Sequence, residues 1–382
     1  MKPLHATRIL DLTRLLPGAV CTMLLRDLGA EIIKIEDPRT GDYARWMPPL
    51  IDGLGAFFRA SNRGKRSVVI DLKAEAGQAV LHRMVEGADV LIEGFRPGVT
   101  ARLGAEYERL RAINPRLVYC SISGWGQSGP RAQVSGHDLN YIARAGVLGA
   151  DLKARTPGAQ VADVGGAYVA VMGILAALLK QQQTGRGDSI DVALSEAAMP
   201  LALAAWVEAM APGESERFIS LRGESACYNV YHSADGQPLA LGAIEPKFWA
   251  NFCRAVEQPE WIEQHYSKTQ QPRLIEAVAT LFKTRSATDW VDRLADADCC
   301  FTPVIATGQL LADRQIQARG MVGVTDSAVP WMRSPIRLDD DEVDRGEAPA
   351  YGEHTRETLA GIAYSDREID QLIDAGVIRQ AP

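Results

Sequence analysis

The stretch RILDLTRLLPGAVCTMLLRDLGAEIIKIE, residues 8–36, predicts the fold class of this chain. Two short apolar runs, Arg8–Thr13 and Glu31–Glu36, enclose a helical pattern at Gly18–Leu28. Both runs are nearly continuous in apolar residues rather than alternating, which is typical of parallel strands covered by helices on both faces. The stretch therefore predicts one β-α-β unit of a parallel α/β sheet.

The same alternation of strand and helix continues outward from this unit. A second helical pattern lies at Glu75–Glu86, and the apolar stretch Val164–Leu179 is shorter than the roughly 20 residues that cross a bilayer, so it predicts a buried core helix. Further strands are predicted at Ser67–Leu72, Asp89–Glu93, Leu117–Ser123 and Asp188–Ala193. We therefore expect a doubly wound α/β domain with a parallel sheet, over residues 1–211.

A polar, turn-rich segment after a helical pattern at Ser195–Ala211 indicates a second domain. We interpret residues 212–225 as a linker. The strands Tyr228–His232 and Pro238–Gly242 flank an Asp-Gly turn and predict a hairpin, and helical patterns run from Pro246 to about Arg319. Residues 226–325 thus predict a smaller α+β domain, and the chain closes with a helix at Asp366–Ala375 whose N-cap is Ser365.

The composition excludes several classes of partner. With 382 residues, 47% hydrophobic and 23% charged, the chain is expected to fold as two globular domains. Its 41 basic and 48 acidic residues give a net charge of −7 without a long basic block, which excludes nucleic acid. The N-terminus lacks a secretory signal pattern, so we expect a cytoplasmic protein that does not bind a membrane. Six scattered cysteines predict reduced, buried thiols and no metal site.

The turn after the first strand argues against a dinucleotide cofactor. It reads TRLLPGAV, residues 13–20, with one glycine where the dinucleotide fingerprint has three. No P-loop motif occurs in the sequence either. NAD is therefore not an expected cofactor.

Three polar residues interrupt apolar or glycine-rich surroundings and are the candidates for chemistry. His137 can transfer protons near neutral pH, although a lone histidine often only caps a helix or packs. Asp163 precedes the core helix, where it could be the N-cap, and the adjacent Gly165 and Gly166 would leave room for a substrate oxygen at the helix N–H groups. Glu245, before Pro246, could be a boundary carboxylate or could orient an imidazole.

Several motifs in register across nearly the whole chain resemble the class III CoA-transferase family, and within it most closely the α-methylacyl-CoA racemases. No single motif is specific, but their order is. They are KIE (34–36), NRGKRS (62–67), DLK (71–73), DVLIE (89–93), FRPG (95–98), NPRL (114–117), GWGQSG (124–129), GHDLNY (136–141), TGRG (184–187), TPV (302–304) and GEHT (352–355).

The resemblance implies an architecture and a reaction. The large domain would contain both ends of the chain, with residues 326–382 returning to it, and two copies would form an interlocked homodimer. The substrate would be a CoA thioester, with no separate cofactor. In the racemase branch His137 and Asp163 would abstract and return the α-proton of a 2-methylacyl-CoA, supported by Glu245. In the transferase branch Asp163 would instead form an acyl anhydride while CoA moves to a free carboxylic acid.

The family pattern also implies a binding site for CoA. Its residues here would be Ile70, Asp71, Leu72, Lys73, Arg96, Gly136, Asp138, Leu139, Asn140 and Tyr141. Lys73 and Arg96 are suited to phosphate groups. The chain departs from the racemase pattern at Asp37, at Ala159 and in the loop Arg222–Tyr228.

Overall fold

The structure is a computed structural model, and it describes residues 1–150, 155–211, 219–338 and 346–381. The chain forms two units, each with its own hydrophobic core. The first comprises Met1–Leu148, Arg155–Leu203 and Arg314–Pro382, and the second is built on Ala204–Asp313.

Six strands of the first unit form the parallel part of one sheet, and each ends within two residues of its predicted bounds. A short C-terminal strand, Ile378–Arg379, adds antiparallel to the third of them. The prediction of an α/β fold with a large parallel sheet is confirmed. The strands are β1 (Arg8–Asp11), β2 (Glu31–Glu36), β3 (Arg66–Ile70), β4 (Val90–Glu93), β5 (Val118–Ser123) and β6 (Ser189–Ala193).

The order of the strands places a crevice at the middle of the sheet. Starting from the C-terminal strand, the order is β3, β2, β1, β4, β5, β6, so the chain extends first to one side of β1 and then to the other. The loops that follow β1 and β4 therefore leave neighbouring strands in different directions. In open parallel sheets, ligands bind at this switch point, beyond the carboxyl ends of the strands.

Helices cover both faces of the sheet. Alternate strand residues point to opposite sides, and the residues on each side belong to an apolar cluster. Ile9 belongs to one apolar cluster and its neighbour Leu10 to another. The first cluster includes residues of α1 (Leu15–Asp27), α3 (Asp138–Arg144) and α4 (Val161–Thr184), and the second includes residues of α2 (Glu75–Glu86).

Helix α4 is longer than its apolar stretch predicts. It begins at Val161, three residues before the predicted start, and its 24 residues satisfy by length and composition the criterion for a membrane span. The expectation that it is too short to cross a bilayer is therefore wrong. One side, which includes Ala167, Ala170 and Ile174, lies in the core of the first unit, and a core helix of a folded domain meets the same criterion.

The second unit packs helices against a small antiparallel sheet. The predicted hairpin strands Tyr228–His232 and Pro238–Gly242 pair as expected. A third strand, Phe301–Pro303, pairs with Pro238–Gly242, so the prediction of helix throughout this region is wrong there. The helices Pro246–Ala255, Gln271–Phe282 and Ala287–Leu294 supply aromatic core residues that include Trp249, Phe282 and Trp290.

The unit boundaries differ from those expected from composition. Glu208 forms an ion pair with Arg222 at 3.2 Å within the second unit, so the helix Leu203–Met210 falls mostly there rather than in the large domain. The strand Val322–Val324 pairs with Pro330–Met332 within the first unit, although 226–325 was the predicted small domain. Residues 212–218 of the predicted linker, and 339–345 and 382 of the predicted return segment, lie outside the described residues.

The remaining elements are short or lie at the ends of the chain. The predicted helix Ser195–Ala211 is divided into Leu194–Ala198, a 3-10 turn at Met199–Ala202, and Leu203–Met210. The last helix, Asp366–Asp374, has the predicted Ser365 cap. Other helices are Ala56–Ser61, Val99–Arg102, Tyr107–Ile113, Val147–Ala150, Arg314–Ala318 and Thr355–Gly361, and a hairpin joins Leu50–Ile51 to Leu54–Gly55.

Five of the six cysteines are buried as expected, and all six are free thiols. Cys300 is exposed, so the prediction is wrong for this residue. It lies in the turn before Phe301–Pro303 with a backbone φ of +53°, and the turn leaves its side chain outside the core.

Candidate active site

Asp163 is in the first turn of α4, but it is not the N-cap. The N-cap is Gln160, and the carboxylate that caps the helix belongs to Asp138. Its Oδ1 accepts the backbone N–H groups of Ala162 at 2.7 Å and of Asp163 at 3.0 Å. The capping role considered for Asp163 is therefore filled from another segment. Within the described residues, the Asp163 carboxylate has no hydrogen-bond partner of its own.

Gly166, the second glycine after Asp163 along α4, is required for close packing. A Cβ on Gly166 would lie 2.2 Å from Cδ2 of Leu194, so glycine allows α4 to pack closely against this side chain. The N–H groups of Ala162 and Asp163 are already bonded to Asp138. The expectation that a substrate oxygen uses these two N–H groups is therefore not met.

The environment of Asp163 raises the pKa of its carboxyl group to about 6. Partial burial is the largest cause, the Asp138 carboxylate raises the pKa further, and the nearby His137 opposes both. A carboxyl group with a pKa near neutrality can both accept and return a proton at physiological pH.

His137 occupies the N-cap position of α3. Its backbone N–H donates to Oδ1 of Asn140 at 3.0 Å, which fixes the first turn of the helix. Its side chain also lines a cavity of about 970 Å³ that Asp163 lines as well. The two leading catalytic candidates therefore face the same space.

This first cavity lies at the carboxyl edge of the sheet. Its walls come from the segment after β1 with the first turn of α1, residues 13–18, the loop after β4, residues 94–97, and the end of β5 with its following loop, residues 122–125. Residues 134–137, 140 and 141 close another side. The position is the switch point at which the strand order reverses.

A row of polar side chains crosses three adjacent strands of the sheet. Glu93, Ser121 and Asp191 occupy matched positions on the adjacent strands β4, β5 and β6, so their side chains lie on the same face of the sheet. Glu93 accepts the N–H of Phe95 at 2.7 Å and is 3% exposed. Its burial, together with the Asp191 charge, raises the pKa of Glu93 to about 7 despite hydrogen bonds from Ser121 and Phe95. The carboxyl group thus holds the loop that forms one cavity wall.

A second cavity of about 550 Å³ lies on the other side of the switch point. Residues after β1, β2, β3 and β4 line it. Two carboxylates at its wall are already paired: Glu36 with Arg45 at 2.7 Å, and Asp37 with Lys73 at 3.5 Å. Partial burial, the largest influence, raises the pKa of Asp37, but backbone hydrogen bonds and the charges of Lys73 and Arg14 together lower it.

The residues predicted to bind CoA are divided between the two cavities. Arg96, Gly136, Asn140 and Tyr141 line the first, and Ile70, Leu72 and Lys73 line the second. Asp71, Asp138 and Leu139 line neither. Asp71 accepts the N–H of Lys73, Asp138 caps α4, and Leu139 is 45% exposed.

Glu245 belongs to the second unit. It is the N-cap residue of Pro246–Ala255 and is exposed, and it lines neither cavity. Burial is the main cause of the raised pKa of the Cys300 thiol, and the negative charge of Glu245 contributes to it. Its support of His137 stays a prediction.

Arg14 is the residue at this site that the sequence interpretation missed. It lines both cavities, as Phe95 does. The signal was available, because a cation directly follows the first strand, at the position where ligands meet a parallel sheet.

An open parallel sheet with an imidazole and a carboxyl group of raised pKa in a cavity at its carboxyl edge defines an α/β enzyme site. Residues 4–355 match CoA-transferase family III. The chain belongs to this family of CoA-transferases and racemases.

Its relatives include both activities. The chain is 33% identical to α-methylacyl-CoA racemase of Mus musculus over 97% of this chain and 96% of that one. It is 32% identical to acetyl-CoA:oxalate CoA-transferase of Acetobacter aceti over 92% and 93%. The crystal structure of a CAIB/BAIF family protein from Brucella suis superimposes with a TM-score of 0.80 at 29% identity, covering 94% of this chain and 99% of that chain.

Proposed function

We propose that this enzyme is a racemase or epimerase of 2-methylacyl-CoA thioesters, with His137 and Asp163 as the two groups that move the α-proton. One observation carries the proposal: both residues line one cavity at the sheet edge, where Asp138 rather than Asp163 caps α4. A transferase that uses Asp163 as a nucleophile does not require a second proton-transfer group there.

The chemistry needs two groups on opposite sides of the α-carbon. A thioester α-C–H is a weak acid, so a base must contact it for the proton to leave. One group removes the proton from one face, and the other delivers a proton to the opposite face, which inverts the centre. In the reverse reaction the two groups exchange roles.

The pKa of Asp163 suits this exchange. With a value near 6, most of the carboxyl group is ionised at neutral pH and acts as the base, while the protonated form remains accessible. Asp138 contributes to this value and also fixes the first turn of α4. In this proposal Asp138 is a positioning residue, and Glu245 supports His137.

CoA transfer is the second candidate, and a specific observation favours it too. The Asp163 carboxylate has no hydrogen-bond partner within the described residues and lines a large cavity, as a nucleophile would. Transferases are also among the relatives at similar identity. In that reaction Asp163 attacks the thioester carbonyl and CoA leaves as the thiolate, which gives an acyl-aspartyl anhydride. The acceptor carboxylate then attacks the aspartyl carbonyl and releases the donor acid, and the CoA thiolate attacks the acyl carbon of the acceptor, which frees the Asp163 carboxylate.

The two candidates differ in what they require. A racemase exchanges the α-hydrogen of a 2-methylacyl-CoA with solvent deuterium when no other substrate is present. A transferase needs a free carboxylic acid, and hydroxylamine would convert the Asp163 carbonyl of its acyl anhydride into a hydroxamate, with release of the acyl group as the free acid. Trapping at Asp163, measured by mass spectrometry, would exclude the racemase proposal.

The active form in this proposal is a homodimer. Apolar side chains on one side of α4 are exposed, with Met172 at 61% and Leu179 at 57%. In the second unit, Trp206 is 62% exposed and Met210 68%. Surfaces of this kind are typical of interfaces between subunits. Sedimentation velocity tests the homodimer. A single species with the mass of one 41.5 kDa chain would exclude it.

A further inference from the structure

Two acidic residues in the row of polar side chains on β4, β5 and β6 hold two loops in place. Glu93, the last residue of β4, accepts the N–H of Phe95 at 2.7 Å, and Asp191 on β6 accepts the N–H of Gln127 at 2.9 Å. Phe95 lines the first cavity, and so does Trp125, which is two residues before Gln127. The two carboxyl groups therefore connect the strands of the sheet to two walls of this cavity.

Glu93 is buried where the sheet supplies no positive charge. Its side chain is 3% exposed and lies on the same face as Ser121, the matched position of β5. On the side of β1, Leu12 donates its N–H to the carbonyl oxygen of Ile92 at 2.8 Å and belongs to the second apolar cluster. Among the described residues, no lysine, arginine or histidine nitrogen lies within 4.0 Å of the Glu93 carboxyl group. Its ionised form would thus be a buried charge without a partner.

The titratable groups near Glu93 disfavour a charge on it. They are Asp191, beyond Ser121 on β6, and Tyr119 and Cys120 on β5. Burial is the largest cause of the raised pKa of Tyr119 and of Cys120, and the Glu93 charge adds to both. Burial and the Asp191 charge likewise raise the pKa of Glu93 from 4.5 to about 7, against its hydrogen bonds.

Opening of the loop after β4 would change the proton affinity of Glu93. A carboxyl group that water reaches has the ordinary pKa of 4.5, whereas the buried group has a pKa of about 7. Between these values opening releases a proton, so each unit of pH favours the open loop by up to about tenfold. Above about pH 7 both forms are ionised and the dependence ends. The closed loop is therefore most stable in acid, and this stabilisation is lost as the pH rises through about 7.

We infer that Glu93 is a positioning residue: its protonated form keeps the wall at residues 94–97 closed, and its ionisation, which burial and the Asp191 charge oppose, opens this wall. The effect on substrate rests on the proposed function, but the opening itself does not. The open wall should bind an acyl-CoA more weakly. The chemistry at His137 and Asp163 should be unchanged, because α3 and α4 pack on the opposite face of the sheet.

Hydrogen–deuterium exchange measured by mass spectrometry tests the opening without a ligand. Glu93→Gln keeps an oxygen for the N–H of Phe95 and is neutral at every pH. After correction for the intrinsic rate, exchange at residues 94–97 in wild type should be about tenfold or more faster at pH 8 than at pH 5.5, and in Glu93→Gln it should not depend on pH. Glu108→Gln and Arg111→Gln should behave as wild type, because these two residues form an exposed ion pair at 3.7 Å and line neither cavity.

The same experiment separates local opening from global unfolding. Over about one hour of labelling, the peptide that contains β5 should stay protected at both pH values. Asp191→Asn keeps an oxygen for the N–H of Gln127 but removes the charge, so the increase in exchange at residues 94–97 should be smaller than in wild type and should end at a lower pH.

Kinetics of α-proton exchange tests the effect on substrate. At pH 8, Glu93→Gln should have a KM for a 2-methylacyl-CoA several-fold below that of wild type, with kcat within about twofold. At pH 5.5 the two proteins should have equal KM values. A general structural disturbance would instead change kcat and KM at both pH values, and an unchanged KM in spite of a pH-dependent wall would overturn the positioning role.

The remaining outcomes separate this inference from the proposed function. Exchange at residues 94–97 that does not depend on pH in wild type, or that keeps its pH dependence in Glu93→Gln, overturns the inference. Uptake in β5 at the same rate would show that only global unfolding ionises Glu93, and the inference would again be wrong. A pH-dependent wall in a protein without α-proton exchange supports the inference and contradicts the proposed function, whereas an active protein with a pH-independent wall does the reverse.

Discussion

The Asp138 carboxylate accepts the backbone N–H of Asp163 at 3.0 Å, and its charge helps to raise the pKa of the Asp163 carboxyl group to about 6. The Asp138 side chain thus both fixes the first turn of α4 and raises the pKa of Asp163 in that turn. Asp138 is 9% exposed and follows His137 in the sequence. Its hydrogen bond to Asp163 therefore connects the start of α3, at His137, with the start of α4.

The substitution Asp138→Asn should separate these two effects. The amide side chain would keep an oxygen that accepts the N–H groups of Ala162 and Asp163, but it would remove the repulsive charge. The pKa of Asp163 should fall, so the acid limb of the pH dependence of α-proton exchange should move below its wild-type position near pH 6. The ratio of the rate at pH 5 to the rate at pH 8 should rise several-fold. An unmoved acid limb would show that Asp138 acts only as a cap.

Glu93 should make the stability of the protein fall as the pH rises. The pKa of Glu93 is raised from 4.5 to about 7 in the folded protein, which therefore retains the proton to higher pH than the unfolded chain does. The stabilising contribution is complete below about pH 4.5 and is lost as the pH rises through about 7. Glu93→Gln should thus have a higher Tm than wild type at pH 8, by roughly 3 °C or more, and an equal Tm near pH 4.5.

The matched control for Glu93 is Glu108→Gln, on an exposed helix position with an ion pair to Arg111 at 3.7 Å. Its Tm should follow that of wild type at every pH between 4.5 and 8. Thermal unfolding by circular dichroism measures both variants. A Glu93→Gln protein whose Tm difference from wild type does not change with pH would refute the assignment.

The buried ion pair that contacts residues 13–15, where α1 begins, should contribute strongly to stability. Lys34→Met would leave the Asp42 carboxylate without its partner at 2.8 Å and the Thr13 carbonyl without its donor. We expect a loss of about 3 kcal/mol in the free energy of unfolding, measured with urea, because an uncompensated charge remains buried. The exposed pair of Lys180 and Asp188 at 2.5 Å provides the contrast: Lys180→Met should change stability by less than about 1 kcal/mol. Similar losses for both variants would contradict this account.

The strands could be predicted from the sequence because burial on both faces leaves nearly continuous apolar runs. β2 was placed without error and β6 within one residue. The start of α4 could not be placed, since the carboxylate that caps it, from Asp138, is 25 residues away from Asp163 in sequence. The strand Phe301–Pro303 was missed because it is three residues long and is identified by its pairing with Pro238–Gly242.

Only part of the site could be predicted, because some of its residues are brought together by the sheet rather than by the sequence. Motif resemblance identified His137 and Asp163, which line one cavity, and several residues that line the two cavities. It could not reveal that Arg14 and Phe95 meet between those cavities, because their proximity depends on β1 and β4 being neighbours in the sheet. The polar row of Glu93, Ser121 and Asp191 likewise depends on strand register, which single segments do not specify.

The most direct test of the central claim is deuterium incorporation at C2 of a 2-methylacyl-CoA in D₂O with no acceptor acid, followed by NMR. Wild type should exchange the α-hydrogen, and His137→Ala and Asp163→Asn should each lose most of the exchange, by about 100-fold or more. The Arg111→Gln protein should retain the wild-type rate. Absence of exchange by wild type, with CoA transfer to a free acid in the same preparation, would contradict the account and assign Asp163 to the transferase reaction.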